Sequence, residues 1–184
     1  YGGRKIGFIG RFAPNKKIED LLFLLYFLKK IHPDYTLTLF GKVISAFNDY
    51  FLFLKKITSE LDLENNVRIL ENLDDASLEK EFCEIDYFVS MSEHEGFGIP
   101  ILEAFSFGVP VIAFDSSAVK DTMKGAGFLF TEKKFSLIAE LIEYLTNKPN
   151  LRKNLVEEQY KVLRYYNDFP FKAIISSFLK IHEN

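Results

Sequence analysis

The chain has 184 residues, with 23 basic and 26 acidic side chains and a net charge of −3 at neutral pH. A single domain of that length buries roughly 70% of its unfolded surface, so neither a metal nor a disulfide is needed to hold a core. The charge balance excludes a nucleic-acid binder, the lone Cys83 excludes an internal disulfide, and the longest apolar run, Leu21 to Leu28, falls far short of the roughly 20 residues that span a bilayer.

Short apolar runs alternate with helical patterns from the first residues onward, the mark of an α/β fold on a parallel sheet. Strands are expected at 5–10, 36–40, 67–70, 87–90, 111–114 and 127–130, and helices at 18–31, 46–61, 76–84 and 100–107, with a short turn at 118–124. Only helical patterns follow, at 135–147, 150–166 and 171–182, punctuated by Pro149 and Pro170. No linker, repeat or low-complexity tract interrupts them. Residues 1–184 therefore read as one Rossmann-like, three-layer αβα domain with a parallel sheet of about six strands and extra C-terminal helices. The opening Tyr1-Gly2-Gly3-Arg4 carries no initiator Met or signal peptide, so a start inside a longer protein is expected. Cys83, in Glu-Phe-Cys-Glu-Ile, is expected on the inner face of a short helix as a structural residue.

Ligands of open parallel sheets bind at the carboxyl ends of the strands, which directs attention to the loops there. The first is Gly10-Arg11-Phe12-Ala13-Pro14-Asn15-Lys16-Lys17, and up to Lys17 every charged residue is basic. Arg11 offers a planar fork for phosphate oxygens and Lys16 a point charge. The acidic stretch 71–86 reads instead as a solvated helix face.

The most distinctive stretch is Ser92-Glu93-His94-Glu95-Gly96-Phe97-Gly98-Ile99-Pro100-Ile101-Leu102-Glu103-Ala104. Pro100 marks a first turn, so a helix should begin near Ile99 or Pro100 with Glu103 about one turn inside it. Helix N-terminal N–H groups lack internal partners, the helix dipole is positive there, and Gly96 and Gly98 let an anion approach the main chain. A pyrophosphate suits such a place. Glu103 could then accept hydrogen bonds from a vicinal diol such as a ribose, each worth about 1.5–3 kcal/mol, while Glu95 faces the other end of the ligand. Each carboxylate alone reads as an ordinary helix N-terminal residue; the combination carries the specificity. No phosphate-binding Gly-x-x-x-x-Gly-Lys loop, Asp-x-Asp or metal-ligand spacing of His32, His94 and His182 occurs, so the expected site is metal-independent.

Glu95, Gly96-Phe97-Gly98, Pro100, Glu103-Ala104 and the following Gly108-Val109-Pro110-Val111-Ile112 together resemble the Glu-x7-Glu donor-binding signature of the group 1 (family 4) retaining glycosyltransferases of the GT-B fold. Gly10-Arg11 and Lys16 resemble that family's phosphate loop, with Lys17 standing where members carry glycine. Thr38–Lys42 and Val67–Leu73 resemble the strand and loop beside the nucleotide. The resemblance covers nearly the whole chain and implies the C-terminal, donor-binding domain of a two-domain enzyme whose N-terminal acceptor domain is not in this sequence.

By that resemblance Gly10, Arg11, Lys16, Glu95, Gly96, Phe97, Gly98, Ile99 and Glu103 bind the donor. Arg11 and Lys16 would stabilise the leaving nucleotide and Glu95 would position the sugar. The implied partner is a UDP-, GDP- or ADP-linked sugar, with no cofactor or metal. The implied activity is transfer to a glycan or lipid-linked acceptor in cell-surface polysaccharide synthesis, in the cytoplasm with possible peripheral contact at the inner membrane face. The isolated domain should turn over little. Two other readings stay open: a non-catalytic nucleotide-sugar-binding module, and part of a nucleotide-sugar epimerase. The stripe Phe171, Ile174, Ile175, Phe178, Leu179 and Ile181 reads as packing on the domain's own sheet, or, by the resemblance, against the other domain.

Overall fold

The structure is a computed structural model of the chain and describes residues 3–168. Six strands, β1 (Lys5–Ile9), β2 (Thr36–Gly41), β3 (Val67–Glu71), β4 (Tyr87–Ser90), β5 (Val111–Phe114) and β6 (Phe128–Phe130), form one sheet in the order β3-β2-β1-β4-β5-β6. Every pairing is parallel. The order reverses between β1 and β4, which opens a crevice beyond their carboxyl ends.

Helices α1 (Ile18–Ile31), α2 (Asn48–Glu60), α3 (Asp75–Phe82), α4 (Ile99–Ser106), α5 (Val119–Met123), α6 (Phe135–Thr146) and α7 (Pro149–Asn167) cover both faces. Strand residues alternate between two cores, as the pleat requires. Ile6, Leu37, Leu39, Tyr87, Val89 and Ile112 pack with α1, α2 and α6, whereas Phe40, Phe88, Val111 and Ala113 pack with α3, α4, α5 and α7. The architecture is the expected three-layer αβα, and the helix at 18–31 and the strands at 87–90 and 111–114 have the expected bounds.

Helix α1 forms because its sequence satisfies three demands together. Leu21, Leu22, Leu24, Leu25 and Leu28 are buried, Glu19 and Asp20 sit at the positive end of the dipole, and Lys29 and Lys30 sit at the negative end. Its start is held from α2, whose Tyr50 hydroxyl accepts the Ile18 N–H at 2.9 Å and donates to Glu19. On the opposite face Gln159 of α7 is wholly buried. Its amide donates to Val109 O and accepts from Val111 N, both at 2.9 Å, so it completes the backbone bonding where β5 begins.

One expectation is corrected. Cys83 is exposed at the C-terminal cap of α3, because the helix ends at Phe82 and the inward positions are taken by Phe82 and Ile85. The helix expected at 171–182 lies outside the described residues.

Lys17, which stands where the family this chain resembles carries glycine, keeps the tight turn, with φ 51° and ψ 49° in the left-handed region. That conformation costs a non-glycine residue about 1–2 kcal/mol. Its ion pairs at 3.6 Å to Glu19 and 3.5 Å to Glu93 offset part of the strain. Lys17→Gly relieves that strain but loosens the unfolded chain, so it is expected to raise the unfolding free energy by only about 0.5 kcal/mol, read from denaturant titration. A loss of stability would show that the ion pairs outweigh the strain.

Candidate functional site

The loop after β1 is anchored to β2 by main-chain contacts. Gly10 N–H donates to Phe40 O at 2.9 Å and Phe12 N–H to Lys42 O at 3.2 Å. The strand ends are so close that a Cβ at Gly41 would lie 1.9 Å from Gly10 O, which only glycine allows. Phe12 is buried against Phe51, so Arg11, between two fixed neighbours, turns into solvent. A single 3-10 turn at Pro14–Lys16 then leads to Lys17 and α1.

The loop after β4 runs beside it. Glu93 N–H donates to Asn15 O at 2.9 Å, and the Asn15 amide donates to His94 O at 3.3 Å. These bonds bring Lys16 Nζ to 2.7 Å from Glu95 Oε1, with the two side chains only 14% and 12% exposed. The residues assigned to the two ends of a ligand thus pair with each other across the crevice. His94, given no role from the sequence, has Nδ1 3.2 Å from Ser117 Oγ.

Gly98 caps α4 with φ 75°, and Thr122 of α5 donates its hydroxyl to Phe97 O, which fixes the glycine turn. Pro100 has no N–H and Ile101 N–H is taken by Gly98 O, while among the described residues the N–H groups of Gly96, Gly98 and Ile99 have no acceptor. Phe97 and Ile99 project outward at 47% and 61% exposure. One turn on, the Glu103 carboxyl is half-buried, and burial alone pushes its pKa above the usual carboxylate value. No cation or donor among the described residues meets it.

Between the ends of β1, β2 and β3 lies a hollow of about 300 Å3, lined by Ile9, Phe40, Leu70, Leu73 and Leu78 with Gly10 and Gly41. Arg11, Lys42 and Asn72 also border it. Among the described residues neither Arg11 nor Lys42 is engaged in an ion pair. The arrangement suits a ligand with a flat apolar part, an anionic middle and a polyhydroxylated end.

The structure therefore gathers Gly10, Arg11, Lys16, Glu95, Gly96, Phe97, Gly98, Ile99 and Glu103 around the crevice. Sequence reasoning missed Asn15 and also Lys133, from the loop before α6, which pairs with Asp20 and Glu93. A signal existed for Lys133, since two consecutive lysines ahead of a helix oppose its dipole. Among the described residues no helix is long and apolar enough to cross a membrane, and no three His, Cys, Asp or Glu side chains gather as metal ligands.

The family model described as glycosyl transferases group 1 matches residues 2–162. The chain is 27% identical over 145 residues to a GDP-mannose:cellobiosyl-diphosphopolyprenol alpha-mannosyltransferase of Xanthomonas oryzae, covering 78% of this chain and 37% of that protein. It spans less than half the length of the curated relatives it matches. The fold is shared with the C-terminal domain of a glycosyl transferase group 1 family protein, LpcC, from Francisella tularensis (TM-score 0.76, 23% identity, 88% of this chain and 84% of that one). It is shared too with Anabaena Alr3699/HepE, solved in complex with UDP and glucose (TM-score 0.81, 22% identity, 99% of this chain and 48% of that one).

Glu103 yields a pH test. Its folded-state pKa is raised, so above that value the folded chain holds an ionised carboxylate that the site disfavours, and the penalty fades as pH falls toward the usual 4.5. Glu103→Gln is expected to raise the melting temperature at pH 7, with a gain that shrinks as pH is lowered through 4.5. A gain independent of pH would rule out an unpartnered charge as its cause.

Proposed function

The chain belongs to the glycosyl transferases of group 1, and from that membership we propose that it is the donor-binding half of a retaining GT-B enzyme that takes a sugar from a nucleoside diphosphate. The observation that supports this most is the meeting, at the β1/β4 reversal, of the Arg11–Lys16 loop with the Glu95–Glu103 loop. In this reading the nucleobase enters the hollow between Phe40 and Leu70, the ribose hydroxyls meet Glu103, and the diphosphate lies by Arg11, Lys16 and the free N–H groups at the start of α4.

The bond that breaks joins the anomeric carbon to the diphosphate, and the leaving group departs with the electron pair. Arg11 and Lys16 stabilise that growing negative charge, a form of electrostatic catalysis that supplies through side chains what a metal supplies elsewhere. Glu95, next to the anionic site and largely buried, orients the sugar. An acceptor hydroxyl oxygen forms the new bond to the anomeric carbon as the bond to the diphosphate breaks, and the departing diphosphate oxygen takes up the proton it loses. A lipid-linked acceptor is consistent with the cellobiosyl-diphosphopolyprenol in the name of the Xanthomonas oryzae relative. That relative's name specifies GDP-mannose, whereas the Anabaena structure holds UDP, so the base is left for experiment to assign.

Calorimetric titration of the chain with UDP, GDP, ADP and their sugar conjugates tests the reading. One nucleotide series is expected to bind, and Arg11→Ala and Glu103→Ala should each weaken it by about 1–3 kcal/mol. Indifference to both variants would put the ligand elsewhere, and no binding at millimolar concentration by the folded chain would overturn the assignment. The Lys16–Glu95 pair adds a sharper expectation. Glu95→Gln frees Lys16 for phosphate, so the bare nucleoside diphosphate should bind more tightly by about 1 kcal/mol, while the extra affinity contributed by the sugar is lost.

A further inference from the structure

Lys133 belongs to none of the motifs and stands outside the proposed donor set, yet its ammonium is held between two carboxylates. Asp20 Oδ2 is 2.7 Å away and Glu93 Oε1 is 3.2 Å away. The residue comes from the loop between β6 and α6, at the far edge of the sheet. Its side chain crosses the end of β5, with Nζ 4.7 Å from the centre of the Phe114 ring, to reach the first turn of α1 and the start of the β4–α4 loop. A cation just ahead of α6 opposes the dipole of its own helix, so its local position is unfavourable. The distant carboxylates and the Phe114 ring are what hold it there.

The partners respond as a linked set. Burial raises the Asp20 carboxyl, against the opposing hydrogen bond and charge of Lys133. Burial also pushes the Glu93 carboxyl upward, but the hydrogen bond and charge of Lys133, with Lys17, outweigh it and keep the group below the usual range. Glu93 is thus an anion gripped on one oxygen by Lys133 and, at 3.5 Å, on the other by Lys17. Its own N–H makes the 2.9 Å bond to Asn15 O that joins the two site loops. Two residues further on stands Glu95, opposite Lys16.

We propose that Lys133 is a positioning residue for the donor site: by fixing Glu93 it keeps the β4–α4 loop bonded to Asn15 and so sets Glu95 opposite Lys16. Its effect on the loops follows from the contacts alone; its effect on sugar binding rests on the donor reading above. The tie is long-range, since it makes the geometry at the β1/β4 crevice depend on a residue beyond β6.

The experiment compares Lys133→Met, Lys133→Arg and, as a control on an exposed neighbour whose ion pair among the described residues is with Glu132, Lys134→Met. Amide hydrogen exchange at Glu93 reports the loop without any ligand. Lys133→Met is expected to speed that exchange by about tenfold or more, Lys133→Arg to restore most of the protection, and Lys134→Met to leave it unchanged. Where the nucleotide series binds, the ratio of nucleotide-sugar to nucleotide affinity should fall by about tenfold in Lys133→Met and recover with arginine.

Should Lys133→Met fail to fold, Glu93→Met removes the tie from its other end, together with the Lys17 pair, and is expected to give both changes at least as strongly. Unaltered Glu93 exchange overturns the proposal, as does unaltered sugar discrimination in a variant whose parent binds. If the parent binds no nucleotide, the donor reading fails and the exchange result still judges Lys133.

Discussion

A partly buried ion pair, Lys16 with Glu95, spans the two loops that leave the sheet on either side of the reversal in strand order. Removing two charges from water costs several kcal/mol, and a close contact offsets this only while the loops stay in register. Much of the surrounding structure maintains that register. Glu93 and Asn15 join the loops through main chain, the Asn15 amide adds a bond to His94, and Tyr50 fixes where α1 begins. In the donor reading, Arg11, Lys42 and the N–H groups of Gly96, Gly98 and Ile99, which have no acceptor among the described residues, draw the anion in, and Lys16 turns from Glu95 to join them as the leaving charge grows.

Much of this was legible in the sequence, and the reason lies in the residues. β5 is an uninterrupted apolar run and β4 is apolar up to its last residue, Ser90, and α1 carries a leucine-rich stripe between acidic and basic ends, so local pattern and final packing agree. The site loops could be named because Gly, Pro, Arg and Glu at fixed spacing have few structural substitutes. What escaped was contact between elements distant in the chain. Nothing local shows that Lys16 meets Glu95 rather than a ligand, or that Lys133 reaches Asp20. Cys83 was misplaced because a helical period predicts a face only while the helix continues, and α3 stops one residue earlier.

Glu103 shows how a site can work against the fold that holds it. A half-buried carboxylate with no partner among the described residues is a cost to folding, and its pKa is raised by burial alone. The fold carries that cost because α4 is secured elsewhere: by Ile101, Ala104 and Phe105 in the core and by the Thr122 bond to the turn before it. Stability comes from one side of the helix, which leaves the other free for recognition.

The tight approach of Gly41 to Gly10 makes part of the hollow's wall main chain, since a Cβ at Gly41 would lie 1.9 Å from Gly10 O. That part of the lining cannot be retuned by exchanging side chains. In the donor reading, engineering of nucleotide preference is therefore directed to the rim, at Lys42, Asn72 and Leu78, which lie outside β1 and β2.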